Sequence, residues 1–135
     1  MNGEQLLLDT NAVIVLLQGD RRLIDAVAAA SWVGVSVITQ LEALSYPSLS
    51  SDDAELLARF FARIDVVNLT VEQPILLETI VGMRQNRVLK LPDAIVAASA
   101  VVSNAILVTA DKELIRRTSI KHWDFTQTQS EDAGT

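Results

Sequence analysis

The stretch LPDAIVAASAVVSNAILVTADKEL, residues 91–114, decides the architecture. Its middle, 94–110, is a run of seventeen residues without a charge. That length is at the short edge of a membrane span, and Ser99, Ser103, Asn104 and Thr109 interrupt it. Asn104 reads as a turn. The run therefore divides into a buried helix over 92–103, with Pro92 near its first position, and a buried strand over 105–109. A short helix over 111–118 follows. An apolar strand set between helices is the repeating unit of a parallel sheet covered on both faces.

The same alternation runs through the rest of the chain. QLLL (5–8) is a short apolar run that stops at Asp9 and reads as a strand. A helix follows it, with Thr10 able to cap and Gly19 able to end it. Residues 21–30 are helical, 32–36 a strand, and 37–46 a helix stopped by Pro47. The segment 51–64 opens with Ser and acids and closes with bases, as the helix dipole prefers. Strand 65–69, a helix over 70–88 with Pro74 in its first turn, and a possible edge strand over 120–125 complete the pattern. The expectation is one α/β domain over 1–125 with a polar tail, 126–135.

Composition removes several chemistries. The 135 residues contain no cysteine, so disulfides and thiolate metal sites are excluded and a reducing compartment is compatible. His122 is the only histidine, which excludes a His-rich metal site or a pair of catalytic histidines. The start, MNGEQLLLDT, has no basic region or long apolar core of the kind a secretory signal needs. A cytoplasmic protein without a membrane segment is expected. Net charge is −6, but residues 84–121 sum to +4 while the remainder sums to −10. A basic patch for phosphates is therefore compatible with an acidic chain, as are ordinary solvated helix faces.

Four acids stand apart from the solvated ones. Asp9 follows strand one directly, and Asp111 follows strand four by two residues, so both belong at the carboxyl edge, where such sheets bind ligands. Glu42 lies in the helix after strand two, between Leu41 and Ala43, and is expected to be partly shielded. Asp93 opens the helix that feeds strand four. On the simplest reading such a helix starts at the opposite edge, unless the two helices between strands three and four form a hairpin that returns it; the pattern leaves this open. Each acid also has a plain reading: Asp9 and Asp111 as helix caps, Asp93 as a first-turn acid, Glu42 as a surface acid. Shielded carboxylates gathered together repel and call for a cation. Oxygen-only ligands suit Mg²⁺ or Mn²⁺ rather than zinc.

The blocks LLLDTN (6–11), ITQLEAL (38–44), KLPDAIVAASA (90–100) and LVTADKEL (107–114) resemble, in order and spacing, those of the PIN-domain ribonucleases, and within them the VapC-like toxins of toxin–antitoxin pairs. The resemblance implies a three-layer α/β/α sandwich with a central parallel sheet. It implies that Asp9, Glu42, Asp93 and Asp111 converge on Mg²⁺ or Mn²⁺, which places Asp93 at the active edge. It implies that Thr10, Asn11 and Thr109 shape the site by hydrogen bonding. Glu113 could share or replace the role of Asp111. The implied reaction is metal-dependent cleavage of RNA to 5′-phosphate and 3′-hydroxyl ends, with an RNA substrate, a cognate antitoxin and a homodimer as partners. Lys90 and Arg84, then Arg87, Arg116 and Arg117, are candidates to hold phosphates. The alternative is a non-catalytic PIN-like module that binds RNA or protein.

Overall fold

A computed structural model describes residues 3–86 and 89–127. Five strands, β1 (Gln5–Leu8), β2 (Trp32–Ser36), β3 (Asp65–Val67), β4 (Ile106–Val108) and β5 (His122–Trp123), form one sheet in the order β3-β2-β1-β4-β5. Every pairing is parallel. The strands are joined through seven helices: α1 (Thr10–Leu17), α2 (Arg21–Ala29), α3 (Val37–Leu44), α4 (Ser51–Arg63), α5 (Pro74–Gln85), α6 (Leu91–Val102) and α7 (Lys112–Arg117).

The sheet is buried on both faces, and the alternation of strand side chains divides the core in two. Leu6, Leu8, Val35 and Val108 face α1, α2 and α4, where Val13, Leu23, Leu57 and Phe61 meet them. Leu7 and Leu107 face α5 and α6, against Leu76, Ile80 and Ala94–Ala98. Leu6, Leu7 and Leu8 are wholly buried, which is why β1 reads as an unbroken apolar run instead of an alternating one. On the second face Trp32 folds its indole over Gly34: a Cβ there would meet Trp32 Cη2 at 2.3 Å. Trp32 Nε1 donates to Asp65 Oδ2 at 2.5 Å.

Local signals set the helix ends. α1 ends in a Schellman turn, with Gly19 N to Leu16 O at 3.0 Å and Asp20 N to Val15 O at 3.3 Å. Gly19 has φ +95°, the left-handed region glycine favours. Asn104 does the same for α6 at φ 50°, with Asn104 N to Val101 O at 3.1 Å and Ala105 N to Ala100 O at 2.9 Å. The expected turn at Asn104 is present. The cap of α1 is Asp9, not Thr10. The helix expected over 70–88 begins only at Pro74, whose fixed φ suits a first position, and Arg87 and Val88 lie outside the described residues.

The direction of α6 settles where Asp93 sits. The last turn of α6 lies beside the start of β1: Gln5 Nε2 donates to Asn104 O at 3.0 Å. That is the amino edge of the sheet. Twelve helical residues span about 18 Å, so the first turn, with Asp93, stands at the carboxyl edge. Of the two placements that the pattern leaves open, the structure takes the carboxyl edge, which is the one the resemblance implies, and not that of the simplest reading. A helix feeding a parallel strand must run antiparallel to the strands in order to deliver the chain to the strand's amino end. The alanines of α6 are interior, with Ala94, Ala97, Ala98 and Ala100 fully buried, so they permit close packing but offer no exposed apolar surface. Exposed apolar side chains lie instead at Leu41, Val71, Ile75 and Leu91.

Of the polar tail, Thr126 and Gln127 are described, and they are held to the domain: Thr126 N donates to Asp124 Oδ1 at 3.0 Å and Arg22 donates to Gln127 O. Residues 128–135 lie outside the described part. No helix among the described residues is long and apolar enough to cross a membrane.

Candidate metal centre

The strand order reverses beside β1. The chain builds β2 and β3 on one side of it and β4 and β5 on the other. In open parallel sheets the crevice at such a switch point, outside the carboxyl ends of the strands, is where ligands bind. Asp9 and Asp111 follow the two strands that flank this one.

Asp9 is buried and tightly held. Its Oδ1 accepts from Thr10 N at 2.8 Å, and its Oδ2 accepts from Thr109 Oγ1 at 2.8 Å. Thr109 is wholly buried, and its hydroxyl is fully used, because it also accepts from Asp111 N at 3.0 Å and Asn11 Nδ2 at 3.4 Å. Asn11 Oδ1 accepts from Ala110 N at 2.9 Å. Asn11 and Thr109 thus tie the start of α1 to the turn that carries Asp111. Thr10 Oγ1 donates to Glu42 Oε1 at 2.7 Å, which aims Glu42 toward Asp9 across α1 and α3. All three supporting residues implied by the resemblance make these contacts.

Asp111 caps α7: its Oδ1 accepts from Glu113 N at 3.0 Å and Leu114 N at 3.1 Å. Asp93, in the first turn of α6, lines with Asp111, Lys90 and Arg117 a cleft of about 350 Å³. Glu113 reaches the same cleft, but its carboxylate is held by Arg116 Nη2 at 2.6 Å and Arg117 Nε at 3.1 Å. Of the two contenders for the fourth acid, Asp111 is therefore the one without a cationic partner in these pairs. Glu42 is exposed, which corrects the expectation of shielding. Adjacent helical residues point about 100° apart, and Leu41 and Leu44 are themselves exposed.

The charges of Glu42 and Asp111 act on both Asp9 and Asp93. Burial pushes the Asp9 carboxyl above its usual value; hydrogen bonds from Thr109 and Thr10 pull it back, and the charges of Glu42 and Asp111 push it further up. Asp93 is raised by burial and then by Asp111 and Glu42, with Lys90 acting in the opposite sense. These are carboxylates that repel across a shared space. Among the described residues, no three acid or imidazole side chains stand close enough together to grip one ion as they are placed. Asp93 and Asp111 line the cleft, Asp9 and Glu42 stand outside its lining, and the four do not form a closed cage. Such an arrangement suits a Mg²⁺-like ion, which keeps several waters and takes only one or two carboxylates directly. The donor set is all oxygen. His122 lies apart on β5, exposed, with Nδ1 3.2 Å from Ile120 O.

The candidate phosphate contacts separate. Lys90 lines the cleft beside Asp93. Arg84 Nη1 donates to Leu89 O at 2.7 Å and so braces the α5–α6 connection. Arg116 and Arg117 both engage Glu113.

The fold is an α/β/α sandwich of parallel strands with carboxylates gathered at its switch point. The chain belongs to the PIN domain family, which it matches over residues 6–121. Among solved structures it is similar to a chain of a toxin–antitoxin complex from Klebsiella pneumoniae, at 28% identity over 79% of this chain and 87% of that one, with TM-score 0.65. VapBC-1 from nontypeable Haemophilus influenzae shares the fold at 20% identity and TM-score 0.70, over 90% of this chain and 98% of that one. VapBC2 from Rickettsia felis, solved with a DNA fragment from its promoter, shares it at 19% identity and TM-score 0.65, over 88% and 98%. No match was found among proteins of curated function.

Proposed function

We propose that this PIN domain is a metal-dependent endoribonuclease, the toxin of a toxin–antitoxin pair, cutting RNA to 5′-phosphate and 3′-hydroxyl ends. One observation carries the reading. Asp9, Glu42, Asp93 and Asp111 come from four elements to one edge, and the charges of Glu42 and Asp111 bear on both Asp9 and Asp93. In this reading the four carboxylates hold Mg²⁺ or Mn²⁺, which supplies a Lewis acid for activating water and neutralising phosphoryl charge.

The chain's own residues do the positioning. Thr109 and Thr10 fix both oxygens of Asp9, and Thr10 also orients Glu42. Asp111 commits Oδ1 to the α7 cap, which holds its carboxyl group at the cleft. Lys90 meets a phosphate of the RNA, with Arg84 bracing the loop it stands on. No protein nucleophile is required, in keeping with a chain that has no cysteine and one distant histidine. The likeness to chains of toxin–antitoxin complexes supports a cognate antitoxin as partner. A homodimer and cytoplasmic work on RNA complete the reading.

The rival is a PIN-like module that binds RNA or protein without cutting it; among the described residues the carboxylates form no preformed cage, and such a module needs none. RNA incubated with the protein in Mg²⁺ or Mn²⁺, with chelator and with the Asp9→Asn variant, separates the two. Cleavage that needs the metal and Asp9, leaving 5′-phosphate ends, supports the nuclease. RNA left intact at every metal concentration supports the binding module. Co-purification with a small neighbouring-gene product tests the antitoxin.

A further inference from the structure

One buried charge lies outside the candidate centre. Asp124 directly follows β5 and is 6% exposed. Its Oδ2 accepts from Lys112 Nζ at 2.9 Å, and its Oδ1 accepts from Thr126 N at 3.0 Å and Thr126 Oγ1 at 2.5 Å. Burial alone would raise this carboxyl; the hydrogen bonds from Thr126 and Lys112 outweigh it and hold it below its usual value. The Lys112 side chain is otherwise 74% exposed. An ion pair with one partner mostly in solvent is a weak source of stability. Its use lies in fixing a position.

The position concerned is the turn after β4. Lys112 is the residue after Asp111 and the first of α7. Six residues are too few for a helix to hold itself, and α7 buries only Leu114. On its upstream side the turn is tied to α1 and β4 through Ala110 N to Asn11 Oδ1 and Asp111 N to Thr109 Oγ1. On its downstream side the tie is Lys112 to Asp124. Asp124 is in turn anchored: β5 pairs with β4 over Leu107↔His122 and Val108↔Trp123, and Arg22 Nη1 donates to Phe125 O at 3.3 Å.

We propose that Asp124 is a positioning residue for the acidic centre: by holding the Lys112 ammonium it clamps the start of α7 and thereby sets where the Asp111 carboxylate stands. This rests on the metal reading of the site, and the test keeps the two apart. The variants Asp124→Asn, Lys112→Met and their double are compared with wild type for Mn²⁺ affinity by calorimetry, for the amide shifts of Glu113 and Leu114 by NMR, and for Tm. Ser31→Ala is the control; it removes the bond from Ser31 Oγ to Gly3 O at 2.8 Å, at the amino edge of the sheet and so opposite the turn. The expectation is a fall of about tenfold in Mn²⁺ affinity in each single variant, no further fall in the double, and displaced Glu113 and Leu114 amides. The control loses Tm without losing Mn²⁺. Variants that bind Mn²⁺ like wild type while melting earlier overturn the proposal. If wild type binds no Mn²⁺, the metal reading falls, and the amides decide alone: unmoved signals overturn the positioning role and moved ones support it.

Discussion

Thr109 Oγ1 donates to Asp9 Oδ2 at 2.8 Å, joining the carboxyl ends of two neighbouring parallel strands across 100 residues of chain. The same hydroxyl receives Asp111 N and Asn11 Nδ2. Thr109→Val keeps the shape and strands three polar groups at once. A loss of about 2–3 kcal/mol is expected, read by chemical denaturation, together with weaker Mn²⁺ binding. Stability within error of wild type would contradict the network.

The acids place a strain on the metal-free chain. Asp93 is raised above 3.8 by burial and by Asp111 and Glu42. Between that value and its higher folded one, the folded chain keeps a proton that the unfolded chain has released. Stability therefore falls as pH rises through this window; the cost is absent below it and complete above it. Asp93→Asn removes the cost. In chelator the variant should melt about 1–3 °C above wild type near pH 7, after discounting for solvent screening, with the gap closing toward pH 3. Adding Mn²⁺ should reverse the order. Equal melting near pH 7 in chelator would contradict the repulsion.

Thr10 acts on Glu42 through one exposed contact of 2.7 Å. Thr10→Val should change stability by no more than about 1 kcal/mol, yet lower Mn²⁺ affinity and RNA cleavage about tenfold, because Glu42 loses its aim. Parallel calorimetry and melts check it, and a variant with unchanged affinity would remove Thr10 from the site.

Gly34 leaves room for the Trp32 indole. Gly34→Ala would displace the ring, break its bond to Asp65 and cost about 1–3 kcal/mol. Denaturation and a red-shifted tryptophan emission report it; an unchanged spectrum would mean that the ring has another resting place.

Much of this was legible in residues 91–114. A charge-free run at the short edge of a membrane span, interrupted by Asn104, reads as a helix, a turn and a strand, and the parallel sheet follows; that the turn is left-handed is seen only in the structure. The polar capping signals marked the carboxyl edge. What escaped was directional. The shielding expected of Glu42 came from its sequence neighbours, but neighbours along a helix do not share a face. The pattern alone left the edge of Asp93 open, because it does not give the direction in which α6 runs; the resemblance and the fold put it at the carboxyl edge. Asp124 gave no local signal at all. WDF reads as a strand end, and its partner, Lys112, belongs to another element; only the folded chain brings the two within 2.9 Å.

On the proposed reading the four carboxylates share one divalent ion or a close pair. Anomalous diffraction from a crystal soaked in Mn²⁺ tests it most directly. A peak is expected among Asp9, Glu42, Asp93 and Asp111, with Asp9 in or next to its coordination sphere and no peak in Asp9→Asn. A soaked crystal with no peak there, or with manganese bound only at surface acids such as Asp52 and Asp53, would contradict it.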